Sequence, residues 1–157
     1  MSWTLLAFAA MNFAAALSGA TFKPDQWFRD LNKPSWQPPD WAFPLVWSVL
    51  YAINAFSGWI VWKQVGLEGP GLWAMGIYVV GLILNASWSY VFFGLKRLDW
   101  AKTSAGLLCL GVALQIIVFL PISQLAGLIL LPYLAWVMVA TVLSATVWRM
   151  NPDQSAA

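Results

Sequence analysis

The sequence predicts an all-α integral membrane protein, a bundle of five transmembrane helices with a long ordered first loop. Hydrophobic residues make up 61% of the chain, charged residues only 9%, and the mean hydropathy is +0.72. A soluble domain carries about 25% charged residues, so the charges here are too few to cover a water-facing surface. The uncharged stretches match the ~20 residues that a helix needs to cross a bilayer. They lack the period-two alternation of a membrane β-barrel, which excludes that fold.

Each predicted span comes from one uncharged stretch or from part of one. These stretches cover residues 1–22, 41–62, 69–95 and 103–148. The last is long enough for two spans, and Pro121 and Ser123 within it favour a turn. In a single domain covering 1–157, we expect helices at 3–21, 41–63, 71–94, 102–120 and 125–148. No basic residue precedes the first stretch, so we interpret it as a span and not as a cleaved signal peptide.

The distribution of basic residues predicts the orientation. All of them except Lys63 fall on the side of the C-terminus: Lys23, Arg29, Lys33, Lys96, Arg97, Lys102 and Arg149. Because cytoplasmic loops carry an excess of Lys and Arg, we expect the N-terminus outside and the C-terminus in the cytoplasm. The net charge of +2 is too small for a nucleic-acid binder.

Two missing residue types exclude several kinds of site. The chain has no histidine, so it cannot build a Ser-His-Asp triad, a His-ligated haem site or a common zinc site. Its one cysteine, Cys109, lies in an apolar run and cannot form an intramolecular disulfide. We therefore expect no metal and no covalent cofactor.

The twelve tryptophans are the most informative feature. Tryptophan prefers the membrane interface, and most of these residues lie near predicted helix ends or in the first loop. Trp47, Trp88 and Trp136 instead lie well inside helices, and a rise of about 1.5 Å per residue places all three toward the half nearer the C-terminus. Helical spacing adds a neighbour on the face of each: Tyr51 beside Trp47, Asn85 beside Trp88, and Ala140 beside Trp136.

Two interpretations of this arrangement remain open. Amides inside spans, such as Asn12, Asn54, Asn85 and Gln115, commonly bond across helices and hold them together. Alternatively, the aromatic faces enclose a pocket for a flat, mostly apolar ligand. We favour the pocket, because packed helix interfaces in membranes prefer small residues over indole rings.

The first loop, residues 22–40, supports the pocket. It is long, and long loops in compact proteins are commonly lids or binding loops. Trp27, Phe28 and Trp36 argue against a disordered linker, and Pro38 and Pro39 restrict the backbone. We expect this loop to cover the mouth of the pocket; the alternative is an interfacial hairpin with no role in binding.

The motifs resemble those of the TspO/MBR family, also known as the tryptophan-rich sensory protein and translocator protein family. The resemblance covers nearly the whole chain and is carried by KPSWQPP at 33–39, WAFPLVWSVLY at 41–51, NASW at 85–88 and PYLAW at 132–136. It implies a five-helix bundle, usually a homodimer, that binds protoporphyrin IX-like tetrapyrroles under the first loop. Residues that match ligand positions, or positions beside them, are Trp47, Tyr51, Asn85, Trp88, Trp136 and Ala140.

The resemblance implies a membrane receptor or translocator for porphyrins, with other flat apolar ligands as further candidates. We expect the propionates to meet the loop cations Lys23, Arg29 and Lys33. One alternative is a light- and oxygen-dependent porphyrin-degrading enzyme, with Trp47 and Trp136 as catalytic candidates. Another is a regulatory membrane partner without ligand turnover.

Two further expectations follow from the resemblance. Ala145 stands where animal members have the tyrosine of a sterol motif, which argues against high-affinity sterol binding. For a dimer, small residues on the third helix, Ala74 and Gly81 with Gly76 nearby, form one candidate face, and Ala10, Ala14 and Ser18 of the first helix form another. Helical spans with this charge bias favour a bacterial inner membrane, with the outer membrane as the alternative.

Overall fold

The computed structural model describes residues 3–154. Its elements in chain order are α1 (Trp3–Thr21), α2 (Gln26–Asp30), α3 (Ala42–Val65), α4 (Pro70–Ser89), a π-helical turn (Tyr90–Gly94), α5 (Leu98–Phe119), α6 (Gln124–Leu128), α7 (Leu131–Met150) and a final 3₁₀ turn (Pro152–Gln154). Five segments are long and apolar enough to cross a membrane: Trp3–Thr21, Ala42–Val65, Pro70–Gly94, Leu98–Phe119 and Gln124–Met150. The predicted all-α membrane fold is therefore confirmed.

The ends of the last two spans differ from the prediction for local reasons. The fourth span begins at Leu98, earlier than predicted, with Asp99 in its first turn, where a negative charge stabilises the helix N-terminus. The turn predicted around Pro121 is present, and the Ser123 side chain caps α6 by accepting from the N–H of Ala126. The fifth span is interrupted before α7, whose first turn holds Pro132, a residue with no N–H to donate.

The third span ends in a π-helical turn rather than in regular α-helix. The N–H of Leu95 donates to the carbonyl of Tyr90 at 2.8 Å, five residues earlier. The widened turn brings the rings of Phe92 and Phe93 to 4.7 Å from each other. Lys96 follows with φ at 55°, a left-handed conformation that is uncommon outside glycine. This turn faces the first loop at the end of the bundle that also carries the C-terminus.

The spans form a ring in which most neighbours pack closely. α1 packs against α3 and α4, α4 against α5, and α5 against α7, whereas α3 and α7 meet only sparsely. Near the N-terminal end of the bundle, α3 is also tied to α6, since the hydroxyl of Ser57 donates to the carbonyl of Ala126 at 2.8 Å. The space between α3 and α7 therefore widens only toward the other end.

The half near the N-terminal end is closed by a chain of buried amides. Asn12 donates to the hydroxyl of Tyr78; Asn54 donates to Asn12 at 2.9 Å; and Gln115 donates to Asn54 at 3.0 Å. These residues come from four different spans, α1, α3, α4 and α5. The expected bonding of amides across helices is thus present here.

The third span, α4, does not offer the dimer face that the sequence suggested at Ala74 and Gly81. Ala74 is 0% exposed, and Gly81 is buried against Gln115 of α5. Both small residues serve the packing of this chain, so the expectation that these two residues form an exposed face is wrong, whereas the neighbouring Gly76 is exposed. Periodicity placed Ala74 and Gly81 on one face but did not reveal that the face points inward.

Candidate functional site

A cavity of about 550 Å³ occupies the half of the bundle under the first loop. This volume lies within the range of about 300–1,000 Å³ that is typical of small-molecule pockets. The walls come from α1, α3, α4, the π turn and α7. The first loop, which in the structure spans residues 22–41, covers one end of the cavity, and we call it the lid. Five of the predicted ligand residues line it: Trp47, Tyr51, Asn85, Trp88 and Ala140.

One wall is a continuous aromatic surface. The rings of Trp47 and Trp88 lie 6.5 Å apart with their planes inclined by only 30°. Tyr51 follows Trp47 by one helical turn, and its ring lies 5.7 Å from the indole. Spans α3 and α4 thus present nearly parallel ring faces to the same space, which suits a flat ligand.

The floor of the cavity is polar and internally bonded. The hydroxyl of Tyr51 donates to Asn85 at 2.7 Å, and the amide of Asn85 donates to the hydroxyl of Tyr133 at 2.6 Å. In contrast, the buried indole nitrogen of Trp88 has no hydrogen-bond partner within the described residues. An unpaired buried N–H is costly, and this nitrogen is closed off from the open space of the cavity.

Trp136 is placed differently from the other predicted ligand residues. It is not among the residues that line the cavity. Its ring packs edge-on against Phe43 at 5.7 Å, and Phe43 does line the cavity. Like that of Trp88, its buried indole nitrogen has no partner in the described part of the chain. Trp136 therefore supports the wall from behind.

The first part of the lid is held by aromatic contacts. Asp25 caps α2 by accepting from the N–H of Phe28 at 3.2 Å. The Phe28 ring lines the cavity and lies 5.9 Å from Phe92 and 5.4 Å from Phe93. Trp27 packs edge-on against Phe92 at 6.2 Å. The π turn thus provides the surface on which α2 rests.

The second part of the lid contributes polar groups. Trp36 is 48% exposed, and Trp36, Pro38 and Pro39 do not line the cavity. Gln37 and Asp40 do line it, and their side chains are hydrogen bonded to each other at 3.5 Å. The prolines therefore shape the loop while its polar residues meet the cavity.

An ion pair joins the lid to the turn between the third and fourth spans. The Lys96 ammonium donates to the Asp25 carboxylate at 2.7 Å. This hydrogen bond, aided by the N–H of Phe28, lowers the pKa of Asp25 below its ordinary value. Both groups are largely exposed, so the pair is a weak and screened contact.

The charges at the mouth are fewer than the sequence suggested. Of the three loop cations expected to meet propionates, only Lys23 lines the cavity. The Lys33 ammonium donates to backbone carbonyls of α2, and Arg29 donates to Gln26. Asp40 places a carboxylate at the same mouth. The two charged side chains among the described lining residues are therefore of opposite sign.

Sequence reasoning did not identify one wall of the cavity. Ala16, Gly19 and Ala20 of α1 line it, at the i, i+3, i+4 spacing of a single helical face. Ser144 of α7, also missed, lines the cavity as well. Small residues at helical spacing were the available signal, but they are also common at helix contacts. No group of three or more metal-ligating side chains occurs among residues 3–154.

Comparisons with known proteins agree over the length of the chain. The TspO/MBR family model matches residues 3–149. A tryptophan-rich sensory protein of Cereibacter sphaeroides is 40% identical over 152 residues, covering 96% of this chain and 94% of that protein. Protein CrtK of Rhodobacter capsulatus is 39% identical over 162 residues, covering 98% and 97%. The translocator protein of Homo sapiens is 35% identical over 127 residues, covering 80% and 75%.

Proposed function

Because the chain belongs to the TspO/MBR family, we propose that it is a membrane receptor or translocator that binds a protoporphyrin IX-like tetrapyrrole. The lidded cavity of about 550 Å³, with two indole rings whose planes are inclined by only 30°, is the observation that carries the proposal. Other flat, apolar ligands would use the same wall. The relatives' names, sensory protein and translocator protein, agree with a binding role.

The proposed binding mode follows from the chemistry of the walls. The macrocycle would stack on Trp47 and Trp88, where aromatic contact and removal of apolar surface from water favour a planar ring. Its propionates would lie at the mouth, where Lys23 is the one cation among the described residues that line the cavity. Since the chain has no histidine to ligate iron, a metal-free porphyrin is the better ligand.

Titration of the detergent-solubilised protein with protoporphyrin IX in the dark, followed by tryptophan fluorescence, tests the proposal. We expect saturable quenching, and about tenfold weaker binding in Trp47→Phe and Trp88→Phe, equivalent to ~1.4 kcal/mol of lost aromatic contact. Trp136→Phe should have a smaller effect, because it acts through Phe43. Trp73→Phe is the matched control, since this exposed tryptophan lies outside the cavity.

An unchanged affinity in the Trp47→Phe, Trp88→Phe double variant would refute the pocket. A second pair of variants tests the proposed orientation of the ligand. Lys23→Gln should weaken binding of the dicarboxylate porphyrin, and Asp40→Asn should strengthen it, each by about threefold for single exposed charges. The dimethyl ester of the same porphyrin should respond to neither substitution.

The second candidate function is light- and oxygen-dependent porphyrin degradation. A series of ring contacts favours it: Trp88 to Trp47 at 6.5 Å and Trp47 to Tyr133 at 6.1 Å. The chemistry would belong to the excited porphyrin, with neighbouring rings as redox partners. Illumination in air would then bleach bound porphyrin in the native protein and less so in Trp47→Phe or Trp136→Phe. If the native protein, both variants and free porphyrin bleach at the same rate, the protein does not catalyse degradation, and binding alone is its role.

We further propose a bacterial inner-membrane location, a cytoplasmic C-terminus and a homodimer. The charge bias supports the location and the orientation, since Lys63 is the one basic residue on the N-terminal side. For the dimer, α1 offers the exposed small residues Ala10 and Ala14. A C-terminal reporter active only outside the cell would contradict the orientation. A monomeric mass in detergent by light scattering would contradict the dimer.

A further inference from the structure

Two basic side chains at the lid end of the bundle have no anionic partner within residues 3–154: Lys102 of α5 and Arg149 of α7. The carboxylate closest to Lys102 along α5 is that of Asp99, and Arg97 occupies it with two N–H groups at 2.9 and 2.6 Å. Neither Lys102 nor Arg149 lines the cavity. Both cations are therefore available to an anion outside the protein.

The two cations lie together where α5 begins and α7 ends. The ammonium of Lys102 lies over the ring of Trp148, and Arg149 follows Trp148 directly in the chain. Lys102 is in the second turn of α5, and Arg149 is in the last turn of α7. Both charges are therefore at the level where a membrane span leaves the apolar core and meets the lipid headgroups.

The contact with Trp148 holds the Lys102 ammonium without using its hydrogen-bond donors. An aromatic ring attracts the charge of a lysine but offers its N–H groups no ordinary acceptor. Lys33 and Lys96 also lie over rings, yet each donates to oxygen as well, Lys33 to carbonyls of α2 and Lys96 to the carboxylate of Asp25. Among the described residues, Lys102 has the ring alone. Its donors are thus positioned and unused.

The surface beneath the Lys102 ammonium is apolar and faces outward. Gly106 and Leu110 follow Lys102 at intervals of one turn on the same face of α5. A side-chain carbon added at Gly106 would meet nothing within 4 Å, and Leu110 is 69% exposed. Trp100, near the start of α5, is 63% exposed, as is typical of a ring at the membrane interface. A cationic end above an apolar strip matches the two parts of a phospholipid.

We propose that Lys102 and Arg149 bind the phosphate of an anionic phospholipid, whose acyl chain lies along Gly106 and Leu110. The phosphate supplies the acceptor oxygens that both cations lack within the chain, and a guanidinium matches its geometry. A headgroup with net negative charge is preferred over a zwitterionic one, because the site offers two cations and the carboxylate of Asp99 is already occupied. The site uses no residue of the cavity, so it is independent of the proposed porphyrin binding.

Native mass spectrometry of the full-length protein in detergent tests the proposal, by titration with phosphatidylglycerol and with phosphatidylcholine of the same acyl chains. We expect the first phosphatidylglycerol to bind on the order of tenfold more tightly than phosphatidylcholine. Lys102→Gln and Arg149→Gln should each weaken its binding about fivefold, the effect of one basic residue at an anionic lipid surface. Lys102→Arg should bind as the native protein does, because it keeps the charge.

Lys63→Gln is the matched control. Lys63 lies over the ring of Trp59 as Lys102 lies over Trp148, but it is the one basic residue on its side of the membrane. We expect its loss to change the affinity for phosphatidylglycerol by less than about twofold. A loss as large as that in Lys102→Gln would show that net charge alone governs binding and would overturn the site. Equal affinity of the native protein for the two lipids would overturn it as well.

Two further arms identify the source of the phosphate and guard against misfolding. Inorganic phosphate in excess, at constant ionic strength, should not displace the lipid, since it gains nothing from the apolar strip. Displacement would assign the cations to a soluble anion and contradict the lipid site. If Lys102→Gln does not fold, Arg149→Gln decides the question, because Arg149 is exposed. Porphyrin titration of both variants should match that of the native protein.

Discussion

The half of the bundle near the N-terminus and the half under the lid both bury amides and tyrosines, yet the cavity of about 550 Å³ lies in the second. In the closed half, small residues such as Gly58 and Ala74 let the spans approach, and the amides bond to one another. In the hollow half, rings stand between α3 and α7, with Trp47 against Tyr133 and Phe43 against Trp136. Bulky rings that hold two helices apart thus create the space that paired amides and glycines eliminate elsewhere.

The largest test of this comparison adds one methyl group to each half. In Gly58→Ala the new carbon would lie 2.6 Å from the Tyr78 ring and 2.9 Å from the Phe8 ring, so the packing must shift. We expect a loss of about 3 kcal/mol of stability from overpacking, measured by unfolding in mixed micelles. Gly19→Ala is the matched control, because its carbon would lie 3.6 Å from Ser89, an ordinary contact. Equal destabilisation of both variants would contradict the difference between the halves.

The next test removes one buried amide from each half and compares the effects on stability and on porphyrin binding. Asn54→Leu leaves Asn12 and Gln115 without their partner in a closed site, and we expect it to cost about 2 kcal/mol. Asn85→Leu in the hollow half should cost about 1 kcal/mol, because water in the cavity can reach Tyr51, one of its two tyrosine partners. Porphyrin affinity of the folded protein should follow the opposite order, with a change in Asn85→Leu only. A loss of affinity in both variants would mean that the halves are not independent.

The smallest expected effect concerns pH at the lid. The pKa of Asp25 is lowered by the Lys96 ammonium, so the ion pair stabilises the closed lid at pH values above the ordinary 3.8. This contribution is lost as the pH falls through the lowered pKa of Asp25. We expect protection of lid amides, corrected for intrinsic exchange, to decrease slightly below about pH 4, and Asp25→Asn to lack that step. A step that persists in Asp25→Asn would assign it to another group.

Sequence reasoning could predict what depends on one helix at a time. Composition and length were sufficient for the five spans, and periodicity placed Trp47 and Tyr51, or Asn85 and Trp88, on common faces. Which neighbour a face meets depends on how the helices pack. Spacing could not show that the face of α4 with Ala74 points into the bundle. The same holds for Asn151, whose partner lies in the loop more than a hundred positions earlier in the chain.

The π turn at Tyr90–Gly94 has a consequence for how related chains align with this one. A regular α-helix has 3.6 residues per turn, so a turn closed over five residues sets everything after it out of phase with everything before it. A helical wheel drawn at 3.6 residues per turn therefore does not describe this turn, which holds Phe92 and Phe93. Loss of one residue here would restore a regular helix without moving the preceding turns, so a relative shorter by one position could keep the wall at Trp88 and lose the support for Phe28.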